Sequence, residues 1–349
     1  MVLNTKFKVL CFGAGAIGSY IGGSLSIHGH EVHFLDRPET IEIIKSTGIR
    51  LNLPNGNFNL QPQYLWSNLE DVIRNNEFDF SIVAVKSYDT DNLIQGWVDS
   101  KEYIPLVLCL QNGVENELKI SSIIGPEKII SGTVTTAIGR IENGIVVERL
   151  RGLGIENKNN FTNDMIITFQ QAGLNAVGFQ NPESMKWSKL LTNLTTNASA
   201  AILAMTPTEI LNNRQLFKIE IEQLRETIRV MKAKKIPITD LPGTPVRLFA
   251  TIVEKFPLVL SKLILNKAIS GGRGGKMPSF YLDLHSNRRK SEVDYLNGAV
   301  VRFGEICGVS TPVNKVLNNT LIKLTNEELP IDKFDHKPKE YLKLFLKNR

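Results

Sequence analysis

The sequence has few cysteines, and they are far apart. Among 349 residues there are three, Cys11, Cys109 and Cys307, without CxxC spacing. An odd number of distant cysteines argues against a disulfide framework, so we expect a reducing, cytoplasmic setting. The first two lie in apolar runs, where a small buried thiol is the usual state.

Long apolar runs are also absent. The best candidates, Leu258–Leu260 and Leu263–Leu265, are separated by Ser261 and Lys262, far short of the ~20 apolar residues that a membrane span requires. The first residues do not show the charged, apolar and cleavage-site regions of an export signal. We therefore expect a protein without a membrane span or an export signal.

The net charge of +6 does not come with a nucleic-acid-binding pattern. Aromatic residues, 7% of the chain, do not interleave with the lysines and arginines, and no zinc-finger or RNP motif is present. The sequence therefore predicts small anionic ligands and no nucleic acid. With 42% hydrophobic residues, the chain is long enough for two domains with separate cores.

The first half alternates short apolar runs with helical stretches. This order predicts an α/β fold with a parallel sheet covered on both faces. The expected strands are Phe7–Phe12, Val32–Leu35, Phe80–Val85 and Leu106–Leu110, and the expected helices run to about Ile27, near Thr40–Ser46, after Asp89 and from Val114. Two further strands, Ile129–Ile138 and Gly144–Glu148, are expected around a turn at Asn143.

Helical periodicity dominates from about Pro182, with helices expected over Met185–Ala204 and Leu216–Lys235. We place a domain boundary at 180, which gives an α/β domain over 1–180 and a mainly helical domain over 181–349. Prolines and glycines interrupt residues 236–278 around the amphipathic stretch Val246–Leu265. That segment could be a lid, a dimer contact or a membrane-surface helix, and we favour the first two.

A GxGxxG motif closes the first predicted strand and opens a helix. Its first glycine allows a tight turn, its second lets the backbone approach a pyrophosphate, and its third lets the helix pack closely on the strand. In this context the motif predicts a Rossmann-type NAD(P)-binding domain. The motif residues are Gly13, Ala14, Gly15, Ala16, Ile17 and Gly18.

Two neighbouring residues give opposite indications about the coenzyme. Asp36 ends the second predicted strand, where a carboxylate would bind the ribose 2′-hydroxyl of NAD. Arg37 follows it, and a guanidinium there suits the 2′-phosphate of NADP. The sequence leaves the choice between NADP (NADPH) and NAD open.

Three polar residues in the helical half are spaced i, i+4 and i+8. Lys189, Asn193 and Asn197 are expected on one stripe of one helix, spanning about 80°. Asparagine is a mediocre helix former, so the two amides require partners. Taken alone, the stripe is more simply interpreted as a solvated polar face.

Several segments in this order and spacing resemble the ketopantoate reductase (2-dehydropantoate 2-reductase) family, over nearly the full length. The resembling segments are Gly13–Gly18, 85–87, 110–113, 189–197, 278–279, 291–298 and 308–314. The resemblance implies an NADPH-dependent reduction of 2-dehydropantoate to pantoate, in pantothenate biosynthesis.

The resemblance also assigns roles to residues. It implies that Lys189 gives a proton to the ketone oxygen, and that Glu292 hydrogen-bonds the substrate hydroxyl and contacts the cofactor. A lysine suits this task because its ammonium both stabilises a developing alkoxide and supplies the proton. The remaining implied contacts are Asn112, Asn193, Asn197 and Ser279 for the substrate, and Lys86 and Asn112 for the cofactor.

Two other functions remain open at this stage. One is an NAD(P)H-dependent reductase of another branched or aromatic 2-oxo acid, of the D-2-hydroxyacid dehydrogenase type. The other is a dinucleotide-binding sensor without catalysis. The sequence indicates no metal site, and a homodimer is one reading of the apolar face of Val246–Leu265.

Overall fold

A computed structural model describes residues 6–74, 76–270, 275–286 and 289–346, with side chains up to 265 in the second range. The chain divides into two units. One is Met1–Lys186 with Leu241–Thr244, and the other is Trp187–Asp240 with Pro245–Arg349. The sequence placed the division slightly earlier, at residue 180. Part of the segment 236–278, including Gly271, lies outside the described residues.

The first unit contains all the named strands of the described chain. They are β1 (Lys8–Phe12), β2 (Glu31–Leu35), β3 (Ile49–Leu53), β4 (Gly56–Leu60), β5 (Tyr64–Trp66), β6 (Phe80–Val83), β7 (Val107–Cys109), β8 (Ile129–Val134), β9 (Ala137–Ile141), β10 (Gly144–Arg149), β11 (Leu153–Glu156) and β12 (Ala176–Phe179). The helices between them are α1 (Ala16–Ile27), α2 (Pro38–Thr47), α3 (Leu69–Ile73), α4 (Thr90–Gln95), α5 (Asn116–Ile124) and α6 (Asn160–Gln171).

Eight strands form one sheet in the order β12-β11-β8-β7-β6-β1-β2-β5. All neighbouring pairs are parallel except β8 and β11. The strand order reverses beside β1, since the chain passes to β2 on one side and later to β6 on the other. Ligands of such sheets bind at this switch point, beyond the carboxyl ends of the strands.

A second sheet of four strands has the order β4-β3-β10-β9. The prediction of one strand over Ile129–Ile138 was wrong here, because β8 and β9 belong to different sheets. Between them, the N–H groups of Thr135 and Thr136 both donate to the Gly152 carbonyl. This shared acceptor turns the chain out of the large sheet.

Two buried clusters, one on each face, cover the large sheet. Cys11 belongs to one cluster and Cys109 to the other, and both are fully buried. Burial raises the pKa of both thiols, so they remain protonated and act as small apolar side chains. The predicted α/β class with a parallel sheet is therefore confirmed.

The helices that follow belong mainly to the second unit. They are α7 (Pro182–Leu194), α8 (Asn197–Leu203), α9 (Pro207–Asn212), α10 (Arg214–Ala233), α11 (Val246–Lys255), α12 (Leu258–Ser270), α13 (Ser279–Leu284), α14 (Ala299–Cys307), α15 (Pro312–Thr325) and α16 (Pro338–Leu346), with one π-helical turn over Asp294–Gly298. The amphipathic stretch Val246–Leu265 is divided at Pro257, as the prolines of this segment predict, because proline lacks the N–H that a continuous helix needs. No helix in the described residues is long and apolar enough to span a bilayer.

The expected single helix over Met185–Ala204 is also two helices. It ends at Leu194 and restarts at Asn197, because Thr196 adopts a left-handed conformation with φ of +57°. Lys189 and Asn193 share α7 as predicted, but the prediction that Asn197 continues the same stripe was wrong. Asn197 is the first residue of α8.

Candidate functional site

Four predicted cofactor positions follow four neighbouring parallel strands. Gly13 follows β1, Asp36 follows β2, Lys86 lies just beyond β6, and Asn112 lies just beyond β7. Because these strands are adjacent in the order β7-β6-β1-β2, their carboxyl ends share one edge of the sheet. The first unit thus brings the four positions to the edge where nucleotides bind in such folds.

The three glycines of the motif face different surroundings. Gly13 has φ of +99°, and a Cβ there would lie 3.0 Å from Val85 Cγ1. A Cβ on Gly18 would lie 1.8 Å from the Gly13 carbonyl oxygen, so the turn itself excludes a side chain. At Gly15, the one described atom within 4 Å is Arg140 Nη2, at 3.5 Å. Protein packing explains two glycines, and the open space at Gly15 fits a ligand that approaches the backbone.

Asp36 is bound to the turn of the motif. Its Oδ2 accepts the Ala14 N–H at 2.7 Å, and its Oδ1 accepts the Arg37 N–H at 2.7 Å. The Asp36 side chain is 16% exposed, whereas that of Arg37 is 58% exposed with Nε 3.7 Å from Asp36 Oδ1. The carboxylate therefore supports the turn, and the guanidinium faces solvent.

A polar network joins the loops that follow β6 and β7. Ser87 Oγ donates to the Asn112 carbonyl at 2.9 Å, and Asn116 Nδ2 donates to the same oxygen at 2.6 Å. Gln111 Nε2 donates to the Val85 carbonyl at 3.1 Å. These bonds hold the segments that carry Lys86 and Asn112 together.

A buried lysine extends this network. Lys186 is 5% exposed, and its Nζ donates to the Gln111 carbonyl at 2.6 Å and the Gly132 carbonyl at 3.2 Å. Its Nζ is also 2.7 Å from Glu117 Oε1. Burial alone would lower the pKa of Lys186, but the Glu117 carboxylate outweighs it and the pKa is raised. Lys186 therefore stays charged and anchors the carbonyl just before Asn112.

In the second unit, Lys189 and Asn193 lie one turn apart on α7. Both are half-buried, so their polar ends lie between the apolar interior and the surface. The neighbouring Leu190, Leu191 and Leu194 are buried. A polar pair on the edge of an apolar helix face can meet a small polar ligand while the leucines exclude water behind it.

Asn197 and Ser279 are brought together by the packing of α8 against α13. Asn197 Oδ1 accepts the Phe280 N–H at 3.1 Å, which caps one of the unpaired N–H groups at the start of α13. Its Nδ2 lies 3.2 Å from the Asn193 carbonyl and 3.5 Å from Ser279 Oγ. Both Oδ1 and Nδ2 of Asn197 are thus used within the fold, and the Ser279 hydroxyl, which accepts from Nδ2, can still donate its own proton to an anionic ligand.

Glu292 is 2% exposed and stands just before the π-helical turn. Its main-chain carbonyl accepts the Tyr295 N–H at 3.0 Å. Its burial shows that Glu292 is not a solvated helix acid, and a glutamate is rarely this buried unless its carboxylate has polar partners.

Sequence reasoning missed several polar residues around these positions. Lys186 and Glu117 are separated by 69 positions, and nothing in the local pattern marks either as buried. Glu220 and Gln223 occupy the core side of the amphipathic helix α10, where the pattern predicts apolar residues. A charged residue at an apolar helix position was the one available signal.

The chain matches two family models. Residues 9–155 match the model described as ketopantoate reductase PanE/ApbA, and residues 181–325 match the model of its C-terminal part. The chain is 27% identical to the 2-dehydropantoate 2-reductase of Pyrococcus horikoshii over 317 residues, which are 89% of this chain and 95% of that protein.

Solved structures give the same result for the fold. The PanE/ApbA family ketopantoate reductase from Ralstonia eutropha aligns with a TM-score of 0.76 and 25% identity, covering 92% of this chain and 99% of that one. A D-mandelate dehydrogenase with NADH and anilino(oxo)acetate aligns with a TM-score of 0.74 and 22% identity, covering 92% of this chain and 98% of that one. At this identity the match shows that the two folds are alike and nothing more. The chain belongs to the ketopantoate reductase PanE/ApbA family and is an NAD(P)-dependent oxidoreductase that acts on CH-OH groups.

Proposed function

We propose that this protein reduces 2-dehydropantoate (ketopantoate) to pantoate with NADPH. The observation that carries the proposal is the donor set of the second unit, where Lys189 and Asn193 share a face of α7 and Asn197 adjoins Ser279 at 3.5 Å. A cation and neutral donors suit a substrate with an oxo group, a carboxylate and a hydroxyl. The 2-dehydropantoate 2-reductase of Pyrococcus horikoshii, which aligns with this chain over 95% of its length, supports the same substrate.

We assign the cofactor to the first unit. Residues Gly13–Gly18 would hold the pyrophosphate, since the open space at Gly15 admits it and the N-terminus of α1 supplies amide donors. Lys86 and Asn112 would lie along the ribose and nicotinamide. Bound NADPH supplies the hydride.

Lys189 is the proposed general acid. As the carbonyl carbon of the substrate gains a hydride, the ketone oxygen gains negative charge, and the Lys189 ammonium transfers its proton to that oxygen. The product is a hydroxyl group and a neutral amine, which recovers a proton from water. Proton donation by a positioned group typically contributes about 10²–10⁴-fold in rate.

The other residues orient the substrate. Ser279 and the amide of Asn197 would bind the carboxylate, Asn193 would bind the oxo or hydroxyl oxygen beside Lys189, and Glu292 would accept a hydrogen bond from the substrate hydroxyl. An acid at that point favours substrates that have a hydroxyl to donate, because an ionised carboxylate can only accept hydrogen bonds.

The coenzyme preference follows from Asp36 and Arg37. Both Asp36 oxygens already accept main-chain N–H groups of Ala14 and Arg37, which ties the carboxylate to the turn. The Arg37 guanidinium, 58% exposed, is the better-placed group for a 2′-phosphate. This arrangement favours NADPH.

A second candidate is the NADH-dependent reduction of another branched or aromatic 2-oxo acid. The position of Asp36 at the end of β2 favours it, because a carboxylate there can also bind a ribose 2′-hydroxyl. The proposed roles of Lys189, Asn193 and Asn197 would be the same in both reactions.

We also propose a homodimer that uses the segment α11–α12. Leu248, Val259 and Leu263 are 60%, 70% and 66% exposed, and such apolar side chains are commonly covered by a partner. Light scattering tests this: a mass of one chain at micromolar concentration contradicts it.

The experiment that tests the function is a matrix of initial rates. Loss of NADPH or NADH absorbance is followed with ketopantoate and with a panel of other 2-oxo acids. Turnover that is fast with ketopantoate and NADPH alone supports the proposal. A preference for NADH and another 2-oxo acid supports the second candidate instead, and cofactor binding without any turnover contradicts both.

A further inference from the structure

The break between α7 and α8 is held by side chains from α10. Where α7 ends, the Leu194 carbonyl accepts a hydrogen bond from Gln223 Nε2 at 3.3 Å. Where α8 begins, the Thr196 N–H donates to Glu220 Oε2 at 2.7 Å. Helix ends leave carbonyl and N–H groups without helical partners, so one acid and one amide of α10 satisfy both sides of the break.

Glu220 is tightly surrounded. It is 1% exposed, its Oε2 also accepts Gln223 Nε2 at 2.6 Å, and its Oε1 accepts the Ser199 hydroxyl from the first turn of α8. Ser199 in turn lies 2.8 Å from the hydroxyl of the buried Tyr341 on α16. The carboxylate therefore binds two points of α8, on either side of Asn197.

The conformation of Thr196 requires this support. A threonine with φ of +57° is uncommon, because a β-branched side chain is strained in the left-handed region. If Thr196 relaxed to a helical conformation, α7 would continue and Asn197 would point in a different direction. The strain is retained where the surroundings fix it, and Glu220 supplies the bond to the Thr196 N–H.

We propose that Glu220 is a positioning residue for substrate binding: by holding Thr196 and Ser199, it fixes the start of α8 and orients the Asn197 amide toward Ser279 and the substrate carboxylate. The inference rests on the proposed function for the role of Asn197. The orientation of Asn197 can be tested independently of that function, because the Phe280 N–H donates to Asn197 Oδ1 and its exchange can be measured without any substrate.

Two variants and a control test the inference. Glu220→Leu removes both acceptors, and Glu220→Gln keeps one acceptor at nearly the same size. Glu222→Gln is the control, since Glu222 lies on the same helix with a side chain 38% exposed beside Arg229. The first measurement is hydrogen exchange of the Phe280 amide in protein labelled with [15N]phenylalanine, assigned with a Phe280→Leu variant.

The second measurement is KM for ketopantoate, or for whichever 2-oxo acid the wild type reduces, together with kcat and NADPH affinity from fluorescence. In Glu220→Leu we expect Phe280 exchange and KM each to rise by about 10-fold, the size of one lost hydrogen bond. NADPH affinity should stay unchanged, because the GxGxxG turn, Lys86 and Asn112 lie in the first unit, whereas Glu220 and the groups that it holds lie in the second. The Phe280 exchange rate and the KM of Glu220→Gln should lie between those of Glu220→Leu and the wild type.

The inference is overturned if Phe280 exchange in Glu220→Leu matches that of Glu222→Gln. If Glu220→Leu does not fold, Glu220→Gln decides: exchange equal to the control overturns the inference, and faster exchange supports it. Faster exchange with an unchanged KM also overturns it, because the Asn197 amide would then not orient substrate. Absence of turnover in the wild type would refute the proposed function alone, and the exchange result would still decide whether Glu220 orients Asn197.

Discussion

Two carboxylates, one in each unit, make the same hydrogen bond in different surroundings. Asp36 accepts the Ala14 N–H and Glu220 accepts the Thr196 N–H, each at 2.7 Å. Ala14 lies in the turn before α1 and Thr196 in the turn before α8, and both turns carry residues proposed to contact a ligand. Asp36 has a side chain that is 16% exposed and can reach a ligand. Glu220 is 1% exposed and can act only through the groups that it holds, the Thr196 N–H and the Ser199 hydroxyl.

The two lysines of α7 differ in the same way. Lys186 is buried against Glu117 and two carbonyls, whereas Lys189, one turn later, is half-buried. A buried, fully paired cation stabilises a loop, and a partly exposed one can give up a proton to a ligand. The comparison therefore predicts which variants lose activity and which lose stability.

The largest effect is expected for Lys189. Replacing it with alanine should lower kcat by about 10²–10⁴-fold, because the ketone oxygen would lose its proton donor. NADPH affinity and the midpoint of thermal unfolding should stay near the wild-type values. Kinetics, fluorescence titration and thermal unfolding measure the three quantities.

Lys315→Ala is the matched control for that variant, since Lys315 lies in the same unit with a side chain 59% exposed. It should leave kcat unchanged. Undiminished turnover of Lys189→Ala would remove Lys189 from the mechanism and with it the contrast between the two lysines.

Lys186→Met should instead lower the free energy of unfolding, by about 3 kcal/mol, because the Glu117 carboxylate, only 14% exposed, would lose its cation. The double variant Lys186→Met/Glu117→Gln should recover most of that loss, since it removes both charges. Urea unfolding of the two variants measures the difference. Equal stabilities of single and double variants would show that the ion pair does not anchor the loop before Asn112.

The pH dependence of stability distinguishes Glu220 from an exposed acid. Burial raises the pKa of Glu220 to about 7 from the ordinary 4.5, and bonds from Ser199, Thr196 and Gln223 offset only part of this. A raised pKa means that the folded state holds the proton more tightly. The contribution of Glu220 to the free energy of unfolding is therefore fully present below pH 4.5. It is lost as the pH rises through 7, by about 3 kcal/mol at most.

Unfolding in urea between pH 4.5 and 8 tests that expectation, with Glu220→Gln compared with the wild type. The titratable group that faces Glu220 from α16 is Tyr341, whose pKa is raised by burial and by Glu220, so it stays neutral in this range. The difference in free energy of unfolding between the wild type and Glu220→Gln should shrink or reverse as the pH rises, because only the wild type loses the contribution of Glu220. A constant difference would mean that Glu220 does not titrate in the folded state.

Much of the first unit could be predicted from the sequence, because its pattern is local. The strands β1 and β2, the GxGxxG turn and the helix α1 all follow from runs of adjacent residues. The strands β3 and β4 were missed although their residues, IRLNL and GNFNL, alternate apolar and polar side chains as half-buried strands do, whereas β5 has only three residues, too few to show a pattern.

The second unit was less predictable where distant residues decide the local conformation. Lys189 and Asn193 on one helix follow from their spacing, but the break before Asn197 depends on Glu220 and Gln223, which lie more than 20 positions away. A helix period cannot show that a side chain from another helix will hold Thr196 in a left-handed conformation. Only the packing of α10 on this break shows it.

The smallest effect concerns Arg37 and the partly exposed carboxylate of Asp36. Arg37→Ala should raise KM for NADPH by about 10-fold and leave KM for NADH unchanged, because the loss of one charge-assisted contact to a 2′-phosphate affects one coenzyme only. An equal change for both coenzymes in Arg37→Ala would refute the selectivity argument.

Asp36→Asn keeps an oxygen for the Ala14 N–H but removes the charge that repels a 2′-phosphate, so it should lower KM for NADPH while the turn persists. If Asp36→Asn instead impaired both coenzymes alike, Asp36 would act through the backbone of its turn, as Glu220 does.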